Sequence, residues 1–276
     1  MLRLRPPALS ALGLLALLVA RVSPGLAQTR FDQTGWDSLL KAHVVNGLVD
    51  YDGFGRSAEF AGYLDRLAAF DPRSLPELER LAFWINAYNA YTIRLIVEHG
   101  QRKSIRNINK SLGFIKGYGP WKEKLARVGG MAYGLDEIEQ GIIRPQFHEP
   151  RIHFALVCAA IGCPPLRSEA YAGARLDRQL EDQGRIFLRE SPAKNRVNVA
   201  QRTVYVSELF NFRDYAKDFG GSKKAIAGFI ARWYGPGPER SLLESGSWDR
   251  WVYTDYDWTL NSQKQGHQAA ASGQAR

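Results

Sequence analysis

The amino-acid sequence predicts an α+β fold in which a helical N-terminal half packs on a small, mostly antiparallel sheet. Three observations carry that prediction. Apolar residues recur at helical spacing through most of residues 31–98. Apolar or alternating runs of strand length come later, at 152–159, 197–206 and 251–261. No internal repeat and no linker interrupts residues 28–261, which are read as a single domain.

Residues 1–27 are set apart from that domain. Arg3 and Arg5 precede an apolar run over 8–20, Arg21 follows it, and Gly25 and Ala27 supply small residues. This is the pattern of a secretory signal peptide cut after Ala27, with an apolar run short for a bilayer span. A periplasmic or secreted protein is expected, with no stable membrane insertion once the segment is removed. Loss of Arg3, Arg5 and Arg21 lowers the formal charge of +9 by three. The remaining excess gathers between Arg94 and Arg127 and reads as a solvated basic face. No nucleic-acid motif accompanies it, so no nucleic-acid partner is expected.

Residues 31–45 place Trp36, Leu39, Leu40 and Val44 at helical spacing and end at Asn46-Gly47; LVDYDGF follows as a short strand and turn. Residues 57–70 form a second helix with Phe60, Tyr63, Leu64 and Leu67 on one face, stopped by Asp71-Pro72. The strongest helical stretch spans 74–98. Pro76 suits its start, Glu77 and Glu79 its first turn, and Gly100 its C-cap. It is apolar on nearly all sides, so it is central and covered, either as one helix or as two. Residues 104–130 are loop-rich and punctuated by glycines. Residues 135–143 read as a short helix, 152–159 as a strand and 176–190 as an amphipathic helix. Residues 197–199 and 203–206 bracket a hairpin turn, 215–219 lead to Gly220-Gly221, and a helix follows over 223–233. Residues 251–261 alternate as a final strand. Residues 262–276 are polar and patternless, a disordered tail.

Chemistry concentrates in FHEPRIHFALVCAAIGCPPL (147–166), where His148, His153, Cys158 and Cys163 are spaced five apart. On an extended strand His153 and Cys158 would face opposite sides about 17 Å apart. The four are therefore not expected to share an ion, and zinc pairs use tighter spacing; no metal and no cofactor is expected. Cys158, beside Phe154 and Leu156, reads as a small buried hydrophobe. Cys163 lies between Gly162, which permits an unusual backbone angle, and Pro164, which restricts it to extended geometry. Such a turn can fold the thiol back toward His153, whose imidazole would favour a thiolate. Cys163 is thus the candidate nucleophile and His153 its base. Among nearby acids, Glu139 or Asp136 can orient the imidazole. The buried amides Asn86 and Asn89 are candidates to hold a substrate or oxyanion, or else tie their helix to neighbouring backbone. In an exported chain a Cys158–Cys163 disulfide is the competing assignment.

LAFWINAYNAYTIRLI (81–96), HFALVCAAIGCPPLR (153–167), SELFNFRDYAKDFG (207–220) and YDWTLN (256–261) occur in that order. Together they resemble domain-of-unknown-function family 547 (DUF547) over about residues 45–262. The resemblance implies a core similar to papain-like or transglutaminase-like thiol hydrolases. It implies Cys163 as nucleophile, His153 as base and Glu139 as third member, although His153 precedes Cys163, the reverse of the papain-like order. The first expected function is therefore an exported thiol hydrolase acting on an amide or thioester bond of a peptide-like or small γ-glutamyl-like substrate. The second is a non-catalytic periplasmic binding or interaction module stapled by a Cys158–Cys163 disulfide. A redox-active dithiol ranks last, because C-x4-C is looser than the C-x-x-C of that chemistry.

Overall fold

The computed structural model describes residues 30–109, 119–212 and 215–264. The expected signal peptide lies outside them, as do all but the first three residues of the expected tail. Helix α1 (Thr34–His43) buries Trp36, Leu39 and Leu40, as their spacing predicts. It leads into a hairpin of β1 (Val44–Val45) and β2 (Leu48–Val49). The turn residues Asn46 (φ 51°) and Gly47 (φ 78°) are both left-handed, which suits Asn-Gly. YDGF is not a turn but opens α2 (Tyr51–Arg56), because the Asp50 carboxylate accepts the Gly53 N–H at 3.0 Å and caps a helix. Ser57 caps α3 (Ala58–Ala69) in the same way, and the stripe Phe60, Tyr63, Leu64, Leu67 is buried. In the core between them Trp36 stacks on Tyr63 at 5.2 Å. Burying such a ring stabilises by about 2–3 kcal/mol.

Helix α4 (Glu77–Glu98) is one continuous helix, since no Gly or Pro lies inside it to break it. Between Leu81 and Ile96 all its residues except Arg94 are buried, so it runs through the centre of the N-terminal core. A hairpin of β3 (Ala126–Val128) and β4 (Met131–Tyr133) follows, turning at left-handed Gly129 and Gly130. The expected short helix at 135–143 is a π-helical segment, Glu137–Ile143, that runs into α5 (Arg144–Phe147) and ends at left-handed His148.

The expected strand over 152–159 is absent. Pro150–Phe154 forms a 3-10 helix, started by the Glu149 carboxylate on the Arg151 N–H at 3.0 Å and by Pro150 in the first turn. Irregular backbone follows, with Ala159 left-handed and Ala160 bridged to Leu260. Ile152 through Val157 are all buried, so the run never shows the alternation of a half-exposed strand.

Helix α6 (Leu176–Arg189) is amphipathic as expected. A three-stranded sheet then forms from β5 (Arg196–Asn198), β6 (Thr203–Ser207) and β7 (Arg250–Thr254), with β6 antiparallel to β5 and parallel to β7. Between β6 and β7 come α7 (Tyr215–Asp218), α8 (Lys223–Ala231) and α9 (Pro238–Ser245). The final strand ends at Thr254, earlier than expected. The packed chain continues past Asn261: Ser262 bridges Val49, and the Gln263 amide donates to His43 O at 3.0 Å. The class is α+β, with three of the four ladders antiparallel. Two apolar clusters fill it, one around α1–α4 and one between the sheet and α8, and Tyr256 packs against both. No described helix is long and apolar enough to cross a membrane.

Candidate functional site

A cleft of about 230 Å³ is lined by residues of both clusters, among them Glu139, His153, Cys158, Cys163, Tyr256 and Trp258. Cys158 and Cys163 are joined as a disulfide across five positions, with Cα atoms 6.3 Å apart. The expected exposures are reversed. Cys163 is 1% exposed, whereas Cys158 is only partly buried. The Cys163 sulfur accepts the Cys158 N–H and the Tyr256 O–H, each at 3.0 Å. Burial pushes the Tyr256 phenol above its ordinary range, with the charge of Glu139 adding to the rise, so it keeps its proton to donate.

Gly162 serves close approach rather than an unusual backbone angle. A Cβ there would lie 2.8 Å from Tyr256 Cδ1 and 2.9 Å from Asp257 N. Its own N–H donates to Asp257 O at 2.8 Å, which seats the 256–259 segment over the sulfurs. From another side, Lys194 Nζ donates to the carbonyl oxygen of Cys163. Burial lowers that amine to about 8.

His153 is mounted on the 3-10 helix, not on a strand. Its Nε2 lies 2.6 Å from Asp218 Oδ2, and its ring packs 4.1 Å from Tyr215 and 5.4 Å from Phe219. Asp218 also accepts Arg144 Nε at 2.6 Å and Nη2 at 2.8 Å. Burial alone would raise this carboxyl. The bonds from His153 and Arg144 outweigh it and hold the group well below the usual carboxylate range. An ionised acceptor on Nε2 makes that nitrogen the donor and leaves Nδ1 for exchange. Neither sulfur is hydrogen-bonded to His153 in this oxidised form.

The acid that orients His153 is therefore Asp218, not Glu139. Glu139 reaches the cleft wall from the π-helical segment, but its carboxylate takes the Tyr215 hydroxyl and Gln140 Nε2. Asp218 stands 65 residues beyond His153. It falls inside the SELFNFRDYAKDFG stretch, yet nothing in that spacing pairs it with a histidine so far upstream. Tyr256 is marked in the sequence only as the first residue of YDWTLN, and Lys194 is unmarked.

Neither Asn86 nor Asn89 lines this cleft. Asn86 spans Tyr171, donating to its O at 2.8 Å and accepting its N–H at 3.0 Å. Asn89 donates to Ala155 O and accepts the Val157 N–H, both at 2.9 Å. Both amides are spent on otherwise unpaired buried backbone. Asn89 thereby fixes the segment that enters the disulfide. Among the described residues no group of three or more His, Cys, Asp or Glu could hold a metal ion.

Fold and site together define an α+β protein whose cleft sets a disulfide beside a histidine–carboxylate dyad. Residues 72–188 match the model of the family described as "Protein of unknown function, DUF547". The match takes in His153 and both cysteines; Asp218, Tyr256 and Lys194 lie beyond it. No curated protein and no solved structure matches the chain.

Proposed function

We propose that the protein is a thiol-dependent hydrolase of an amide or thioester bond and that the disulfide is its resting form. One observation carries the reading: His153, bonded to Asp218 behind it, lines the same cleft as the sulfur pair. Reduction by a dithiol delivers two electrons and two protons and frees both sulfurs. The Cys163 thiolate then keeps two donors, the Cys158 N–H and the Tyr256 O–H, and gains from the nearby Lys194 charge. His153, held by Asp218 through Nε2, takes the thiol proton on Nδ1. The thiolate attacks the carbonyl carbon, the C–N or C–S bond breaks, and the leaving group departs with the proton from His153. Water then cleaves the acyl-thioester. On the pattern of residues 1–27 we extend the proposal to export, periplasmic or secreted.

The disulfide itself favours a second reading, a non-catalytic module whose turn is stapled. Reduction of the full chain followed by iodoacetamide labelling and mass spectrometry separates the two, run beside hydrolysis of peptidyl amides and thioesters. The hydrolase reading expects rapid labelling at Cys163 near neutral pH, and turnover that Cys163→Ala abolishes without unfolding the chain. Equal, slow labelling of both thiols without turnover supports the module.

A further inference from the structure

We infer that the cleft receives the cationic, amine-bearing end of its substrate. The inference rests on this cleft being the substrate site of the proposal above and adds the class of group it holds. Two features of the walls lead there. The first is aromatic. Trp121 and Trp258 meet edge to face at 5.9 Å, Tyr256 lies 4.7 Å from Trp258, and Phe212 stacks on Trp258 at 5.8 Å. Ring faces are electron-rich and attract cations, more strongly where water is excluded. Trp258 already engages one cation, with the Arg106 guanidinium 5.1 Å from its ring centroid.

The second feature is charge. Glu139 is buried in the same wall, braced by the Tyr215 hydroxyl and Gln140, and Asp136 also lines the cleft. Among the described lining residues there is no Lys or Arg. A ligand carboxylate entering here would lose its water beside two acids, with no Lys or Arg among the described lining residues, which is costly. A primary ammonium would meet a carboxylate and several ring faces. About 230 Å³ admits an aminoalkyl arm and not a folded peptide. Of the peptide-like and γ-glutamyl-like substrates, the cleft selects by the amine and not by the carboxylate.

The test titrates three probes of similar length into the oxidised full chain and follows tryptophan fluorescence: 5-aminopentanamide, its neutral isostere hexanamide, and the anion glutaramate. The amine is expected to bind at least about tenfold more tightly than either of the others, equivalent to ~1.4 kcal/mol. Glu139→Gln should erase most of that preference, and Trp258→Leu should weaken amine binding. Should Glu139→Gln fail to fold by circular dichroism, the salt dependence of the parent decides: the amine preference must shrink as ionic strength rises. Equal affinities, preference for glutaramate, a salt-independent preference or no saturable amine binding overturns the inference. Amine binding without hydrolysis after reduction sinks only the hydrolase, and hydrolysis without amine preference sinks only the present inference.

Discussion

Asp218→Asn probes the dyad at its charge. The carboxylate accepts three hydrogen bonds, from His153 Nε2 and from Arg144 Nε and Nη2, at 2.6–2.8 Å. Its partners are well covered: the His153 side chain is 1% exposed and that of Arg144 12%. An amide keeps the shape but offers one accepting oxygen and an NH2, so a donor is forced against a donor. Removing one partner of a buried charge pair costs about 3–5 kcal/mol. The Asp218 side chain is 26% exposed, so solvent screens part of this and ~2 kcal/mol is the expected loss. For a chain of this size that lowers Tm by roughly 4–8 °C. The pH dependence has a definite sign. A carboxyl depressed in the folded state stabilises above its unfolded value of about 3.8, and that contribution fades as pH falls through the folded value. Parent and variant should therefore differ at neutral pH and begin to converge below about pH 4 in thermal scans. If the hydrolase reading holds, turnover also falls by on the order of a thousandfold or more, because the imidazole loses the partner that fixes its tautomer. A variant as stable as the parent at neutral pH refutes the account.

Three further outcomes are expected. Cys158→Ser and Cys163→Ser should each cost about 2 kcal/mol in urea denaturation, matching reduction of the parent, because all three open the same short loop. Asn86→Ala should cost about 2–4 kcal/mol, since the Tyr171 N–H and carbonyl are left buried without partners; a urea midpoint close to the parent's would refute that role. For Lys194→Met the comparison is with pH. The buried amine titrates at about 8 when folded against 10.5 unfolded, so the cost of burying its charge is full below pH 8 and relieved as pH rises toward 10.5. The parent should gain stability relative to the variant across that window in chemical denaturation.

The helices were legible because their signals are local. Trp36, Tyr63 and Leu67 declare their faces by spacing, and left-handed Gly100 sits beside the helix end it marks. The hairpin between β5 and β6 was legible for the same reason. Residues 152–159 were misread because a short apolar run buried on every side looks alike as strand or coil; Pro150 and Glu149 were the overlooked marks of a helical turn. Pro238 and left-handed Gly246, which bound α9, were marks of the same kind. At the site, the sequence singled out His153 and Cys163 but not what holds them. Asp218, Tyr256 and Lys194 meet their partners through tertiary packing, from segments 65, 93 and 31 residues away from the groups they bond. No periodicity encodes such distances.

The two asparagines of α4 have a consequence for how such a cleft can diversify. Three positions apart on one rod-like helix, they index two separate loops, at Tyr171 and at Ala155–Val157, to a common ruler. The segment that leads into the disulfide is thereby held from the interior. Trp121 and Phe212 line the cleft from short turns outside the asparagine brackets. Exchanging side chains there can retune what the cavity admits while the chemistry stays where the helix has pinned it.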